Sequence, residues 1–335
     1  GQTAPFYSYR IGTLTQTSSE LNRTFRAEML SLSTDFEGAS EVGGLFLHPN
    51  ERAGGLGMLL ARSRYLYIRA HRPRFAERIF AELRGVFDEG GGSPFWDGLA
   101  GKFFGMTFPE ADAFNAVNGF QFIADLMPKH PIYTALLPDT ARAVMGLPHP
   151  SGRAAMRMLE NEGFVHDNYI DIFDGGPTMH TRTDHVKTVA KSRDIEVTKV
   201  AANSAPRAIA STGRLATFRA AWACVTDDGC IDPEGAMALS VEPGESAKNA
   251  GGLSHPRAAA LQGIEKMRAN LRLGLAQGVF MPQDRPNRGW LSELAMTAED
   301  ASPSVLACAM SASSMWAANA ATVSPAPDAL DGRCH

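Results

Sequence analysis

Cysteine is scarce in this sequence: its 335 residues include four, at positions 224, 230, 308 and 334. They are too few and too scattered for a disulfide-stabilised scaffold, and no pair has the CxxC spacing of a zinc site. A signal-peptide pattern is also lacking, and the longest uncharged stretch, residues 301–327, is too polar for a membrane-spanning helix. We therefore expect a cytoplasmic protein with no membrane partner.

Strong net charge is lacking as well. The formal net charge is −4 and 20% of the residues are charged, so no basic surface for nucleic acid is expected. What is present is apolar: 44% of the residues are hydrophobic, enough for a real core in a chain long enough for two modest domains.

The first half of the chain alternates between strand and helix patterns. Residues 6–15 (FYSYRIGTLT) and 43–48 (GGLFLH) are typical of strands, while residues 55–68 and 74–84 (RFAERIFAELR) have the apolar spacing of helices. Residues 120–126 and 169–173 are further candidates for strands or short buried elements, and residues 201–211 for a linker or exposed loop. This alternation favours an α/β or α+β sheet domain, and we expect the α+β class.

The sharpest local motif is RAGGLG at residues 52–57, between the predicted strand 43–48 and the predicted helix 55–68. Glycines at this point let a ligand approach the backbone, and the free N–H groups at a helix start bind anions. The motif lacks the Gly-Lys-Ser/Thr of a Walker loop and the third glycine of a dinucleotide-binding fingerprint. A loop that needs glycine for geometry alone would look the same.

The form R-x-x-G-x-G resembles the acyl-CoA pyrophosphate loop of the general N-acetyltransferase superfamily. This resemblance assigns Arg52, Gly55 and Gly57 to cofactor binding. Residues 154–164 (AAMRMLENEGF) resemble the late helix and turn of the same fold. Taken alone, that stretch is a common amphipathic helix ended by glycine.

Longer strings narrow the resemblance. SPFWDGLAGKFFGMTF at residues 93–108, ADLMPKHPIYTALLP at 124–138 and NYIDIFDGGPTM at 168–179 are similar to the arginine N-succinyltransferase family, over about residues 1–245 in all. The resemblance implies transfer of the succinyl group of succinyl-CoA to the α-amino group of L-arginine. It implies succinyl-CoA as co-substrate, no metal or prosthetic group, and an oligomeric assembly.

By the same resemblance Leu45 binds succinyl-CoA and His149, in GLPHP at residues 146–150, is the proton donor. An imidazole titrates near neutral pH and could protonate the departing CoA sulfur as the catalytic acid. A loop histidine with a structural hydrogen bond is the alternative for His149, and His130 is a rival for its role.

Charged residues could hold the arginine substrate. Asp88, Glu89 and Asp174 are candidates to face its guanidinium, and Arg84 to face its carboxylate, since these groups pair through charge-assisted hydrogen bonds. A surface or salt-bridge role is the alternative for each.

The end of the chain has a different resemblance. From about residue 249, NAGGLSHPRAAALQGIEKMRANLRLGLAQGVF is similar to the N-terminal part of the N-succinylarginine dihydrolase family, as is SASSMWAANAATVSPAPDALDGRCH at 311–335. That family has the pentein fold, and the resemblance makes Asn319 a substrate-binding residue. Cys334 is too early in the pattern to be the family's nucleophile, so no hydrolase activity is expected.

These observations predict three parts. Residues 1–200 form an acyltransferase domain with the mixed sheet of the N-acetyltransferase fold, 201–248 a small β-rich module, and 249–335 a mostly helical fragment of the dihydrolase. The resemblances suggest that the family regions flanking both ends are lacking, as in a fusion of two neighbouring genes or an artefact of gene assembly. The alternatives to an active transferase are a dihydrolase fragment and an inactive fusion remnant.

Overall fold

The computed structural model describes residues 6–48, 50, 54–118 and 121–249. The strands are β1 Ser8–Ser18, β2 Arg23–Ser33, β3 Ser40–Glu41, β4 Arg78–Glu82, β5 Ile132–Tyr133, β6 Val165–Ile170, β7 Pro177–Arg182, β8 Arg193–Glu196, β9 Lys199–Val200, β10 Arg207–Thr212, β11 Arg219–Cys224, β12 Cys230–Ile231 and β13 Ser246–Asn249. The helices are α1 Leu56–Ala70, α2 Pro94–Gly98, α3 Gly101–Phe104, α4 Phe108–Asn118, α5 Gln121–Leu126, α6 Asp139–Val144, α7 Arg153–Glu162, α8 Lys187–Lys191 and α9 Pro233–Leu239. The predicted α+β class is confirmed.

Seven strands form the larger sheet in the order β3-β4-β7-β6-β1-β2-β5. Strands β1 and β2 form a long antiparallel hairpin, and β3 is the one strand of this sheet that runs parallel to its neighbour, β4. The sheet is therefore mixed. Its two adjacent parallel strands end at the same edge, which is where the candidate site lies.

Strand β4 occupies the stretch predicted as the helix 74–84, and that prediction is wrong. Ile79 and Ala81 face α1 and pack in the cluster that contains Tyr65 and Ile68, while Phe80 points to the opposite face of the sheet. A strand that is buried on both faces has apolar residues at consecutive positions. These positions also fit a helical spacing, so periodicity cannot separate the two structures.

Other local predictions were also only partly right. Helix α1 covers the predicted helix 55–68, and α7 with its glycine end covers the motif 154–164. Residues 43–48, predicted as a strand, form no strand and follow the short β3, and residues 121–126 form a helix. Strand β6 ends at Ile170, so residues 171–173 lie in the following turn.

A second apolar cluster covers the sheet next to β1 and β6. Trp96 of α2 lies at its centre, fully buried, with its ring stacked on Phe173 at a centroid distance of 5.5 Å. The indole N–H donates to the carbonyl of Met106 at 2.9 Å, so this buried donor is satisfied. The cluster fixes the turn that follows β6, and that turn contains the carboxylates of Asp171 and Asp174.

The smaller sheet has four strands in the order β11-β10-β13-β8, and α9 packs on one face of it. Its other face packs on α1, where Leu59 and Leu66 contact a cluster containing Ile209 and Trp222. Residues 207–211, predicted as part of a linker, belong to β10, and β8 precedes the predicted boundary at residue 200. None of the described helices is long and apolar enough to span a bilayer.

Candidate active site

Two parallel strands separate at the edge of the large sheet. The ladder pairs Ser40 with Ile79 and Glu41 with Phe80, and the last bond runs from the Val42 N–H to the Phe80 carbonyl at 2.8 Å. The segment after Val42 is no longer hydrogen-bonded to β4. Within the described residues the N–H groups of Gly44 and Leu45 have no hydrogen-bond partner. A ligand between the strands could use these backbone donors.

A buried guanidinium fixes the separated segment. Arg64 of α1 is 6% exposed and donates from Nη1 to the carbonyl of Gly43 at 3.2 Å. Burial lowers the pKa of Arg64, because desolvation disfavours the charged form. The half-buried Leu45 follows two residues later, so α1 sets the position of the predicted succinyl-CoA residue.

Helix α1 begins at a glycine turn, as the motif predicts. Gly54 and Gly55 both have positive φ, 62° and 81°, a conformation that side-chain-bearing residues rarely adopt. Gly55 is the N-cap and has no side chain to cap the helix, no acidic residue occupies the first turn, and the second predicted glycine, Gly57, lies within it. The free N–H groups and the helix dipole at this end would suit an anion. Arg52 lies outside the described residues.

His149 lies in the loop between α6 and α7, directly against the end of β4. Its backbone N–H donates to the Arg84 carbonyl at 2.7 Å, and Nδ1 lies 2.7 Å from Ser151 Oγ. Burial, and secondarily the charge of Arg84, lower the pKa of His149, so the neutral ring predominates at pH 7. The structure thus brings His149 and the Leu45 segment to neighbouring strand ends.

A cluster of carboxylates adjoins this point. Glu41 and Glu82 lie on the face of the sheet opposite α1, and the turn after β6 adds Asp171 and Asp174. Burial, followed by the neighbouring negative charges, raises the pKa of Glu82 well above its usual range. Glu41 is exposed at the end of β3, although desolvation, followed by the charge of Asp171, raises its pKa.

The two aspartates of the turn have a structural task. Asp174 is 8% exposed and accepts from the Gly85 and Gly176 N–H groups at 2.7 and 2.8 Å. Burial and the charge of Asp171 raise the pKa of Asp174 to about 8. Since both its oxygens already accept backbone bonds, Asp174 holds the end of β4 in place.

The remaining predicted residues lie in different surroundings. Asp88 accepts from the Gly90 and Gly92 N–H groups and shapes its own loop. Glu89 is exposed in that loop, whereas Arg84 extends over the Phe87 ring at 4.1 Å beside Asp174. Glu41 and Glu82 were not predicted as site residues. In the predicted helix over residues 74–84, Glu82 and Arg84 would lie on different faces, whereas in an extended strand they share one.

The rival histidine lies elsewhere. His130 is exposed in the turn before β5, at the opposite edge of the sheet from β3 and β4. The structure therefore separates His130 from the glycine turn and from His149. Asn319 lies outside the described residues, and within the described part no group of three or more His, Cys, Asp or Glu residues is arranged to hold a metal ion.

The fold and site together define an α+β protein with a glycine-initiated helix, a histidine and a cluster of carboxylates near one edge of the large sheet. A family model described as arginine N-succinyltransferase beta subunit matches residues 1–188, more than half of the chain. The chain belongs to this family. A second model, described as succinylarginine dihydrolase, matches residues 225–335, so the predicted joining of the two is confirmed, with an earlier start than residue 249.

Curated relatives have the same family name. An arginine N-succinyltransferase of Enterobacter sp. (strain 638) is 48% identical over 197 residues, 59% of this chain and 57% of the relative. One of Salmonella paratyphi B is 45% identical over 223 residues, 66% of this chain and 65% of the relative. The chain thus spans about three fifths of the length of these relatives.

A solved structure is similar as well. The arginine/ornithine succinyltransferase subunit AI from Pseudomonas aeruginosa superposes with a TM-score of 0.64 at 33% identity. The match covers 74% of each chain. This similarity agrees with the mixed sheet and with the family assignment.

Proposed function

We propose that this chain is an arginine N-succinyltransferase with an N-acetyltransferase-like fold, which uses succinyl-CoA as the acyl donor. The observation that carries the proposal is the separation of the parallel strands β3 and β4. The Leu45 segment and the glycine turn of α1 follow β3, and His149 is bonded to the Arg84 carbonyl just beyond β4. Family membership supports the same assignment.

Succinyl-CoA would bind along the separated strands. Its pyrophosphate would lie on the N–H groups at the start of α1, where Gly55 and Gly57 leave the backbone accessible. The thioester arm would extend past Leu45, whose neighbouring N–H groups could hold the thioester oxygen as negative charge develops there. Arg52, by resemblance, would add a positive charge.

The lowered pKa of His149 supports a role as base before its role as acid. Nδ1 accepts from the Ser151 N–H at 3.3 Å and lies 2.7 Å from Ser151 Oγ, so the neutral ring has its proton on Nε2, and Nδ1 could take a proton from the α-ammonium of arginine through the Ser151 hydroxyl. The free amine then attacks the thioester carbon and the C–S bond breaks. The imidazolium returns its proton to the CoA thiolate, and the second amine proton leaves to water.

The carboxylate cluster would hold the guanidinium. Desolvation disfavours the charged forms of Glu41 and Glu82, and a bound cation would offset that cost. Arg84, exposed beside the cluster, would pair with the substrate carboxylate. Because the Pseudomonas relative is named for arginine and ornithine, an ammonium on a shorter side chain is the second substrate to test.

The C-terminal part stays a separate proposal. We keep the division into residues 1–200, 201–248 and 249–335, with a pentein-type fragment at the end that has no hydrolase activity and with Asn319 as its substrate residue. The similarity of residues 225–335 to the dihydrolase family supports the fragment. Assembly into an oligomer is proposed from the family resemblance alone.

The test is thiol release from succinyl-CoA by the purified chain, with and without L-arginine, and then with L-ornithine. Release that depends on arginine supports the proposal. A folded chain that binds CoA but releases no thiol with either amine would contradict the transferase and leave a fusion remnant. Ammonia release from succinylarginine would support the dihydrolase alternative instead.

A further inference from the structure

One tryptophan of the small sheet has an unsatisfied polar atom. Trp222 is 5% exposed on β11, and its buried indole Nε1 finds no hydrogen-bond partner among the described residues. Trp96, the other tryptophan of the described part, donates to a carbonyl. A buried donor without an acceptor is costly, so its presence calls for an explanation.

The edge of this indole that contains Cζ2 and Cε2 lies beside the glycine turn. A Cβ built on Gly55 would lie 3.5 Å from Cζ2 and 4.0 Å from Cε2 of Trp222, and Cε2 is the ring carbon bonded to Nε1. Gly55 is the N-cap of the 15-residue helix α1. The unpartnered donor therefore lies beside the helix end that already presents free backbone N–H groups.

The packing of the small sheet on α1 fixes the position of Trp222. Trp222 pairs with Ile209 across β10 and β11, and both belong to the cluster that packs the small sheet on α1. Phe218, in the same cluster, contacts Tyr67 near the other end of α1, at a centroid distance of 5.1 Å. The strand β11 thus lies along α1 and delivers Trp222 to its first turn.

We propose that Trp222 donates its indole N–H to a pyrophosphate oxygen of the acyl-CoA bound at the start of α1. This inference rests on the proposed function and adds to it a donor from outside the large sheet. It explains the orphan donor, because the acceptor would arrive with the ligand. It also gives the small sheet a role in cofactor binding.

The experiment is direct binding of CoA, dephospho-CoA and pantetheine by calorimetry to the full chain and to Trp222→Phe. Phenylalanine keeps an aromatic ring and removes the donor. We expect the Kd for CoA and for dephospho-CoA to rise about tenfold or more, the usual loss for a hydrogen bond to a charged group. The Kd for pantetheine, which has no pyrophosphate, should stay unchanged.

A matched control is Phe218→Leu, which removes apolar contact from the same cluster and has no N–H. An equal loss of CoA affinity in this variant would overturn the inference, because packing would then explain the effect. An unchanged Kd in Trp222→Phe, or a loss for CoA but not for dephospho-CoA, would overturn it too. A wild-type chain that binds no CoA would contradict the proposed function itself, and the inference with it.

Discussion

The two sheets differ in whether their charged side chains are buried or exposed. At the β3–β4 edge of the large sheet, Glu82, Asp171 and Asp174 have pKa values raised chiefly by desolvation. The core of the small sheet consists of Ala, Val, Ile and Leu side chains, and its ion pairs, such as Arg193 with Asp227, lie on the surface. Buried charge costs stability, so its concentration at one edge marks that edge for function.

The largest expected effect is on the histidine of that edge. His149→Ala should lower arginine-dependent thiol release by about 100- to 10,000-fold, the usual contribution of acid–base catalysis, while CoA binding stays intact. Turnover and CoA affinity are measured on the same preparation. His130→Ala is the control and should behave as wild type; loss of turnover there, with normal turnover in His149→Ala, would move the site to the other edge of the sheet.

Two glycines test whether the edge and the small sheet are functionally distinct. A Cβ at Gly176 would lie 2.1 Å from the Leu83 carbonyl oxygen, and one at Gly235 would lie 2.5 Å from Ala223 Cβ. Each change to alanine should cost about 1–3 kcal/mol of unfolding free energy through overpacking. Chemical denaturation measures this cost.

Only Gly176→Ala should also lower turnover per folded molecule, because it shifts the turn that holds Asp174. Gly12→Ala is the control for both, since a Cβ there meets nothing within 4 Å. An equal fall in specific activity for Gly235→Ala would break the distinction between the two sheets.

A smaller effect on activity is expected from a substitution in the carboxylate cluster. Glu82→Gln keeps the size of the side chain and removes its charge, so the KM for arginine should rise about tenfold, as for the loss of one charge-assisted contact. The KM for succinyl-CoA should stay the same. Steady-state kinetics with each substrate varied separates the two effects. Glu77→Gln, at the other end of the β4 region, is the control; a rise in the KM for succinyl-CoA alone would contradict the assignment.

Part of this site follows from the sequence and part does not. The glycine turn of α1 was predictable, because RAGGLG supplies glycines at 54 and 55, and both adopt the positive φ that glycine tolerates best. The carboxylate cluster was not predictable, because β4 is buried on both faces and its run of apolar residues fits a helix and a strand equally well. Tertiary pairing with β7 decides that question, and with it whether Glu82 and Arg84 share a face.

The smallest effect concerns pH. Asp174 has a pKa of about 8 in the folded chain against an ordinary 3.8, so between about pH 4 and 8 the folded state binds more protons than the unfolded state. Its contribution to the unfolding free energy therefore falls as pH rises through this window. After burial, the charge of Asp171 is the main cause.

Asp171→Asn should flatten that fall by about 1 kcal/mol across pH 5 to 8, the value of roughly one pKa unit. The asparagine oxygen can keep both bonds that Asp171 Oδ1 accepts, from the N–H groups of Phe173 and Asp174. Urea denaturation at several pH values measures the slope, with the exposed Asp139→Asn as control. The pH slope of the unfolding free energy should change only when a buried carboxylate is replaced. An equal change in the control, or a steeper fall in Asp171→Asn, would show that the charge of Asp171 does not raise the pKa of Asp174.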